Sequence, residues 1–346
     1  MTPCETVRIP EKNKVPGVCY AVTADGLELP VIDITHPAFA CDVSPQEVSA
    51  IIDESVRAWE AVQKTPPEVL RDLVANSLLV RGWVQSVGTF MSGMTTYLYR
   101  LGPNNLGQGY AGPIDRRSAT GIMPLSFRFR LRDVARLIAD ALAPALAAHP
   151  GSPVHLVNIA GGLSADSLNA LIVLNKEHPE CVRGRPISIQ VLDLDREGPQ
   201  FGSRALAALL ADGAPLAGLS ATLDAVEYNW ADASRLRQVL DGIEPGAAAV
   251  GSSEGGLFDY GSDEQIVANL AALREGTPPE FVMVGSVVRD VNTLDPRLRA
   301  TVQPGARPLI RYLGLDAFRP LARQAGWAIE RVIDSVAHHA VSLRKA

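Results

Sequence analysis

The sequence has little from which to build an exported, membrane-spanning or metal-dependent protein. No apolar run approaches the roughly 20 residues needed to cross a bilayer, and the opening "MTPCETVRIPEKNKVPG" has no apolar signal core. A cytoplasmic protein with no membrane partner is therefore expected. The four cysteines (Cys4, Cys19, Cys41, Cys181) are far apart and form no CxxC pair, which argues against a disulfide framework and a thiolate zinc site. There is no HxxxH, no cluster of Asp and His at ligand spacing and no GxSxG elbow. His338 and His339 are neighbours in an expected strand, so they point to opposite faces and cannot share one metal. The formal charge of −6 gives no electrostatic reason to expect nucleic acid. Repeats and low-complexity runs are lacking too.

What is present is a globular composition, 47% hydrophobic and 20% charged, on 346 residues, a length that suits two structural units better than one. The texture changes near residue 150. Before it, "SPQEVSAIIDESVRAWEAVQ" has Ser44 as an N-cap and Pro45 at the first helical position, and two further helical patterns follow, "PPEVLRDLVANSLLVRGWVQSVGTFMSGMTTYLYRL" and "RLRDVARLIADALAPALAAH". The stretch "GPNNLGQGYAGPIDRRSATGIMP" between them reads as loop. After it, strands are expected at "VHLVNIA", "ISIQVLD", "ATLDAVEYN", "AAAVGSS" and "EFVMVGSV", with helices between them, and "AGWAIERVIDSVAHHAVSLRKA" reads as a closing antiparallel pair. The expected fold is α/β: a Rossmann-like, open, mostly parallel sheet with a C-terminal antiparallel pair over residues 151–346, and a mainly helical N-terminal region, 1–150, serving as lid and substrate-binding part.

In "VHLVNIAGGLSADSL", Gly161 and Gly162 follow a buried strand, and Ser164 is placed to cap the next helix. Backbone N–H groups would then face a space with no Cβ, where a nucleotide-like ligand can approach. The crevice of an open parallel sheet lies beyond the carboxyl ends of its strands, where this turn falls. Asp193 ends the second strand, with Leu194 and the alternative acid Asp195 beside it, and can accept ribose hydroxyls. Asp232 follows the third strand as a helix cap or an adenine contact, and Trp230 or Tyr228 offers a flat face to a base.

This order of Gly-rich turn, Asp193, Asp232 and closing pair after "AGW" resembles a class I S-adenosylmethionine-dependent methyltransferase over residues 151–346. At the places of that family's (D/E)xGxGxG turn stand Asn158, Ala160, Gly162 and Ser164, so the acidic place carries no charge. "GSSEGGLFDYG" is similar to the family's EGxLxYL stretch. The resemblance implies S-adenosyl-L-methionine as cofactor, a small-molecule acceptor, Ser252 and Ser253 near the cofactor and Glu254 as general base, and it leaves room for a homodimer. Two alternatives stay open: a catalytically silent relative that binds a ligand or partner, and an NAD(P)-dependent dehydrogenase in which Ala160, Gly162 and Ala165 imitate GxGxxG. Arg100, Arg116, Arg117, Arg128, Arg130, Arg132 and Arg136 concentrate positive charge between residues 100 and 136. If "SFRFRLRDVARL" is extended, Arg128, Arg130 and Arg132 share one face. Arg128 or Arg117 would then enter the crevice and grip an anionic acceptor.

Overall fold

The β-branched runs after residue 150 alternate inward on both faces, and that alternation builds the sheet. A computed structural model of the chain describes residues 6–86, 88–107, 111–302 and 309–346. After a small antiparallel pair, β1 (Tyr20–Val22) with β2 (Glu28–Pro30), come β3 (Val154–Ile159), β4 (Pro186–Asp193), β5 (Ser220–Glu227), β6 (Ala248–Ser253), β7 (Val282–Val288), β8 (Trp327–Asp334) and β9 (His338–Lys345). The last seven form one sheet in the order β5-β4-β3-β6-β7-β9-β8. Strands β3 to β7 pair in parallel, whereas β7 with β9 and β9 with β8 are antiparallel. All the strands expected after residue 150 are in place. The chain runs outward from β3 through β4 to β5 and then returns to lay β6 on the other side of β3, so the switch point lies between β3 and β6.

The helices are α1 (Pro45–Gln63), α2 (Pro67–Ala75), α3 (Leu78–Gln85), α4 (Gly93–Arg100), α5 (Pro113–Ser118), α6 (Ile122–Ala148), α7 (Ala165–Glu177), α8 (Pro179–Val182), α9 (Glu197–Leu210), α10 (Ser234–Leu240), α11 (Leu257–Tyr260), α12 (Asp263–Gly276), α13 (Pro296–Arg299) and α14 (Gly314–Gln324). Val154 and Leu156 of β3 pack with α6, α7 and α9 in one core, while Val157 and Ile159 pack with α10, α12 and α14 in another, as the two-residue period of a strand requires. The first core also takes in Leu29, Leu79, Tyr97 and Leu131, so apolar packing is continuous from the N-terminal elements to the sheet.

Two readings of the N-terminal half differ from the structure. The pattern from Pro66 to Leu101 is three helices, because Ser77 and Ser92 each cap a new start: their hydroxyls accept from Val80 N at 3.0 Å and Thr95 N at 3.1 Å. "SFRFRLRDVARL" is helical, since α6 begins at Ile122, inside the stretch read as loop. Its arginines are therefore spread around an axis: Arg130 is buried, and Arg128 and Arg132 lie nearer its rim.

The α9 helix approaches the turn after β3 through glycines. A Cβ on Gly202 would stand 2.5 Å from the Leu163 carbonyl oxygen, and one on Gly198 2.9 Å from the Gly162 carbonyl carbon. Backbone cannot yield as a flexible side chain does. Gly202→Ala is expected to lower stability by about 1–3 kcal/mol in urea titration, from forced separation of α9 and the turn.

Candidate functional site

The turn from β3 into α7 has a backbone that most residues resist. Ala160 (φ 54°), Gly162 (φ 57°) and Ser164 (φ 62°) are all left-handed, and two of the three are not glycine. The turn is secured from inside. Asn158 Nδ2 donates to Ser164 Oγ at 3.1 Å and to Asp166 Oδ1 at 2.6 Å, and its Oδ1 lies where a Cβ on Gly161 would be, which is why position 161 is glycine. Ser164 thus precedes α7 without capping it, since its hydroxyl serves Asn158 and no side-chain cap bond forms.

The residues expected to meet a nucleotide fall around this turn, though not all in the expected roles. Asp193 Oδ2 accepts from Gly162 N at 2.8 Å and Oδ1 from Asp195 N at 2.9 Å, so both oxygens hold backbone. Asp195 gives one oxygen to Glu197 N at 2.9 Å and keeps Oδ2 buried without a hydrogen-bond partner. Leu194 is exposed. Asp232 is exposed and accepts from Ser234 N and Oγ, at the first residue of α10, at 2.9 and 3.0 Å. Trp230 donates to Gln265 Oε1 at 3.1 Å, whereas Tyr228 is buried with its hydroxyl on Asn269. Ser253 Oγ accepts from Leu257 N at 2.9 Å, and Ser252 is buried beside Asn158 in the β3–β6 pairing.

The face of the turn is covered by the chain itself. A Cβ on Gly93, the first residue of α4, would come within 2.8 Å of Gly162 Cα and 3.6 Å of Asp195 Oδ2. Just before it, Phe90 meets Trp230 and Tyr260 edge to face at 5.3 and 5.1 Å. Residues 90–93 thus lie across the mouth expected to be open, and only glycine on both sides allows the contact. A surface cavity of about 380 Å³ lined by residues including Val48, Phe129, Arg297 and Val336 shares no lining residue with the turn.

At the far end of α4 is a feature the sequence reading missed. Arg100 Nη2 and Arg130 Nε both donate to Glu254, the latter at 2.6 Å, and Arg130 Nη1 reaches Asp259 Oδ2 at 3.2 Å; all four residues are buried. Glu254, expected as a general base, has both carboxylate oxygens paired with guanidinium donors in this structure. Arg128 is not the arginine that reaches inward: it donates to the Ala40 carbonyl at 2.7 Å, while Arg117 is exposed. The available signal was burial context, since Arg100 and Arg130 stand in "YLYRL" and "FRFRL" among aromatic and aliphatic residues. Asp166 was also missed; it lies in the first turn of α7, whose residues from Ala165 to Leu174 are all buried.

Burial pushes the Asp259 carboxyl up to about 7, with Arg130 pulling it down and Glu254 adding to the rise; burial likewise pushes Asp166 up to about 6, reinforced by Glu254. Among the described residues no group of His, Cys, Asp and Glu could hold a metal ion, and no helix is long and apolar enough to cross a membrane.

No family model and no curated protein matches the chain. Solved structures do. A possible exported protein from Bordetella parapertussis is similar at 19% identity, over 88% of this chain and 99% of that one, with a TM-score of 0.55. A DUF574 family protein from Streptomyces avermitilis is similar at 13% identity, over 73% and 97%, with a TM-score of 0.50. Magnesium protoporphyrin IX methyltransferase (ChlM) from Synechocystis PCC 6803, solved with bound SAH, aligns at 11% identity over 63% and 87%, with a TM-score of 0.40. At these identities the first two likenesses are ones of fold.

Two predictions follow from the ion cluster. Glu254→Gln leaves two buried guanidinium groups without their shared anion and should destabilise the protein by about 3–5 kcal/mol in urea titration. Asp259 has a folded pKa of about 7 against an ordinary 3.8, so the fold favours its protonated form. Its contribution is complete below the ordinary value and is lost as pH rises through 7. The stability of the wild type relative to Asp259→Asn should accordingly fall as pH is raised from about 4 to about 8.

Proposed function

We propose that the chain transfers a methyl group from S-adenosyl-L-methionine to a small-molecule acceptor. The observation that carries the proposal is the position of the β3–α7 turn at the switch point of the sheet, with its three left-handed residues held in shape by Asn158 and Asp193. The adenosine half of the cofactor fits the side chains around it. Asp195 Oδ2 is a buried acceptor without a donor, which suits a ribose hydroxyl, and Trp230 presents its ring from the loop after β5. Asp193 keeps its place in the site by anchoring the Gly162 amide, with Ala160 and Gly161 shaping the turn and Ser252 and Ser253 closing it from β6.

When bound, the cofactor supplies an electrophilic methyl group, and the protein's task is to align it with the acceptor and exclude water. In this reading α4 is the lid. Its start, Gly93 on Gly162, must lift together with the preceding Phe90 on Trp230 before a nucleotide enters and can close over it afterwards. The acceptor lies at the β6 end. Its charge is not set by the arginine cluster, because Arg100 and Arg130 are matched by Glu254 and Asp259. The commitment of Glu254 to those arginines favours a second reading, a nucleotide binder without turnover. An acceptor that ionises unaided would need no base and keeps the first reading intact.

Calorimetry with S-adenosylhomocysteine and NAD separates the classes: binding of the first and not the second is expected, and absence of S-adenosylhomocysteine binding would sink the proposal. Transfer of a labelled methyl group to any small-molecule acceptor decides between enzyme and silent binder. Asp195→Ala should weaken S-adenosylhomocysteine by roughly one to two decades, as for a lost charge-assisted hydrogen bond. Asp193→Ala should register first as a loss of stability, because its carboxylate holds backbone.

A further inference from the structure

We infer that Asp166 holds the ammonium group of the cofactor's amino-acid end and supplies the negative charge that Asn158 lacks. This rests on the cofactor reading above and goes beyond it by assigning the recognition of the ligand's amino-acid half to a residue outside the turn.

The argument begins with a buried charge count. Five charged side chains converge beneath α4 at the carboxyl ends of β3 and β6: Arg100 and Arg130 against Glu254, Asp259 and Asp166. Two cations face three carboxyl groups. Glu254 and Asp259 receive guanidinium donors, while Asp166 receives none and senses Arg100 and Glu254 only at a distance. When all three carboxyl groups are ionised, one buried negative charge is left without a counter-charge, an arrangement a binding site can sustain when a cationic ligand completes it.

The hydrogen-bond inventory points to the same place. Asp166 is 1% exposed; its Oδ1 accepts from Asn158 Nδ2 at 2.6 Å and Ser167 N at 2.8 Å, and its Oδ2, with the Ser252 hydroxyl close to the carboxyl, forms no hydrogen bond of good geometry. Asn158, fully buried, likewise leaves Oδ1 without a donor. Two unpartnered acceptors on directly bonded side chains call for a donor-only group, and an ammonium is one. Arg100 Nε is a buried donor without a partner in the same cluster, and it suits the carboxylate of the same amino-acid end. Asn158 in the strand and Asp166 in the helix thus work as one unit: the amide sets the carboxylate's orientation, and the carboxylate provides the charge.

The test compares S-adenosylhomocysteine with 5′-methylthioadenosine, which lacks the amino-acid end, by calorimetry on the wild type and Asp166→Asn. The wild type should prefer S-adenosylhomocysteine. The variant should lose tenfold or more in its affinity for S-adenosylhomocysteine and keep its affinity for methylthioadenosine within about twofold. Equal loss for both ligands, or loss for neither, overturns the inference while leaving the cofactor reading standing. If neither ligand binds the wild type, both fail together. Should Asp166→Asn not fold, the wild type alone decides. The groups facing Asp166 are Arg100 from α4, Asn158 and Ser252 from β3 and β6, and Glu254 after β6, backed by Arg130 and Asp259. The preference for S-adenosylhomocysteine over methylthioadenosine should rise as pH increases from about 5 to about 8 and ionises Asp166. A preference that stays flat over that range overturns the assignment.

Discussion

The rest of the structure depends on Glu254 being shared between Arg100 and Arg130. Glu254 follows the central strand β6, Arg100 ends α4 and Arg130 lies in α6, so one carboxylate fixes two N-terminal helices to the carboxyl edge of the sheet. Burying these charges carries a desolvation cost that a surface pair does not, and the paired geometry offsets it only while all the partners are present. The cluster therefore acts as a positional constraint more than as a source of net stability. If α4 were held by apolar contacts alone, its height over the turn would be set less sharply.

The constraint decides what happens at the other end of α4. With Arg100 fixed, Gly93 reaches Gly162, and the turn after β3 is compressed between α4 above and the glycines of α9 beside it. Close backbone approach at three places leaves little room for side-chain adjustment, so access to the face of the turn requires the start of α4 to move. Phe90 against Trp230 and Tyr260 adds a small aromatic contact, part exposed, that such a movement would break. The ion cluster and the turn are in this sense one mechanical unit, joined through a helix of eight residues.

Much of this was readable in advance where a local signal is strong. The strands after residue 150 announce themselves by β-branched runs, the turn by Gly161 and Gly162, and α1 by Ser44 and Pro45, where Ser44 caps the helix as expected and Glu47 completes a capping box. Helix boundaries in the N-terminal half were less legible. Ser77 and Ser92 as caps compete with a hydrophobic period that continues across them, and the alternation of Phe and Arg at 127–132 fits a strand as well as it fits the buried side of α6. Asp193 was legible as the acid that ends the second strand, yet its bond to Gly162 N was not, since that partner arrives only when β3 and β4 lie side by side.

The sequence by itself determined the alternation of strand and helix, the reversal at the closing pair and the location of the turn, because each follows from residues close together in the chain. Which charges meet was decided by tertiary structure alone. Arg100, Arg130, Asp166 and Glu254 are separated by up to 154 positions, and although the apolar neighbours of Arg100 and Arg130 hint at burial, nothing local says which carboxylates they meet. Only packing α4 and α6 over the ends of β3 and β6 removes the water that would otherwise neutralise them, and with it gone each partner, and each missing partner, acquires a meaning the linear chain cannot express.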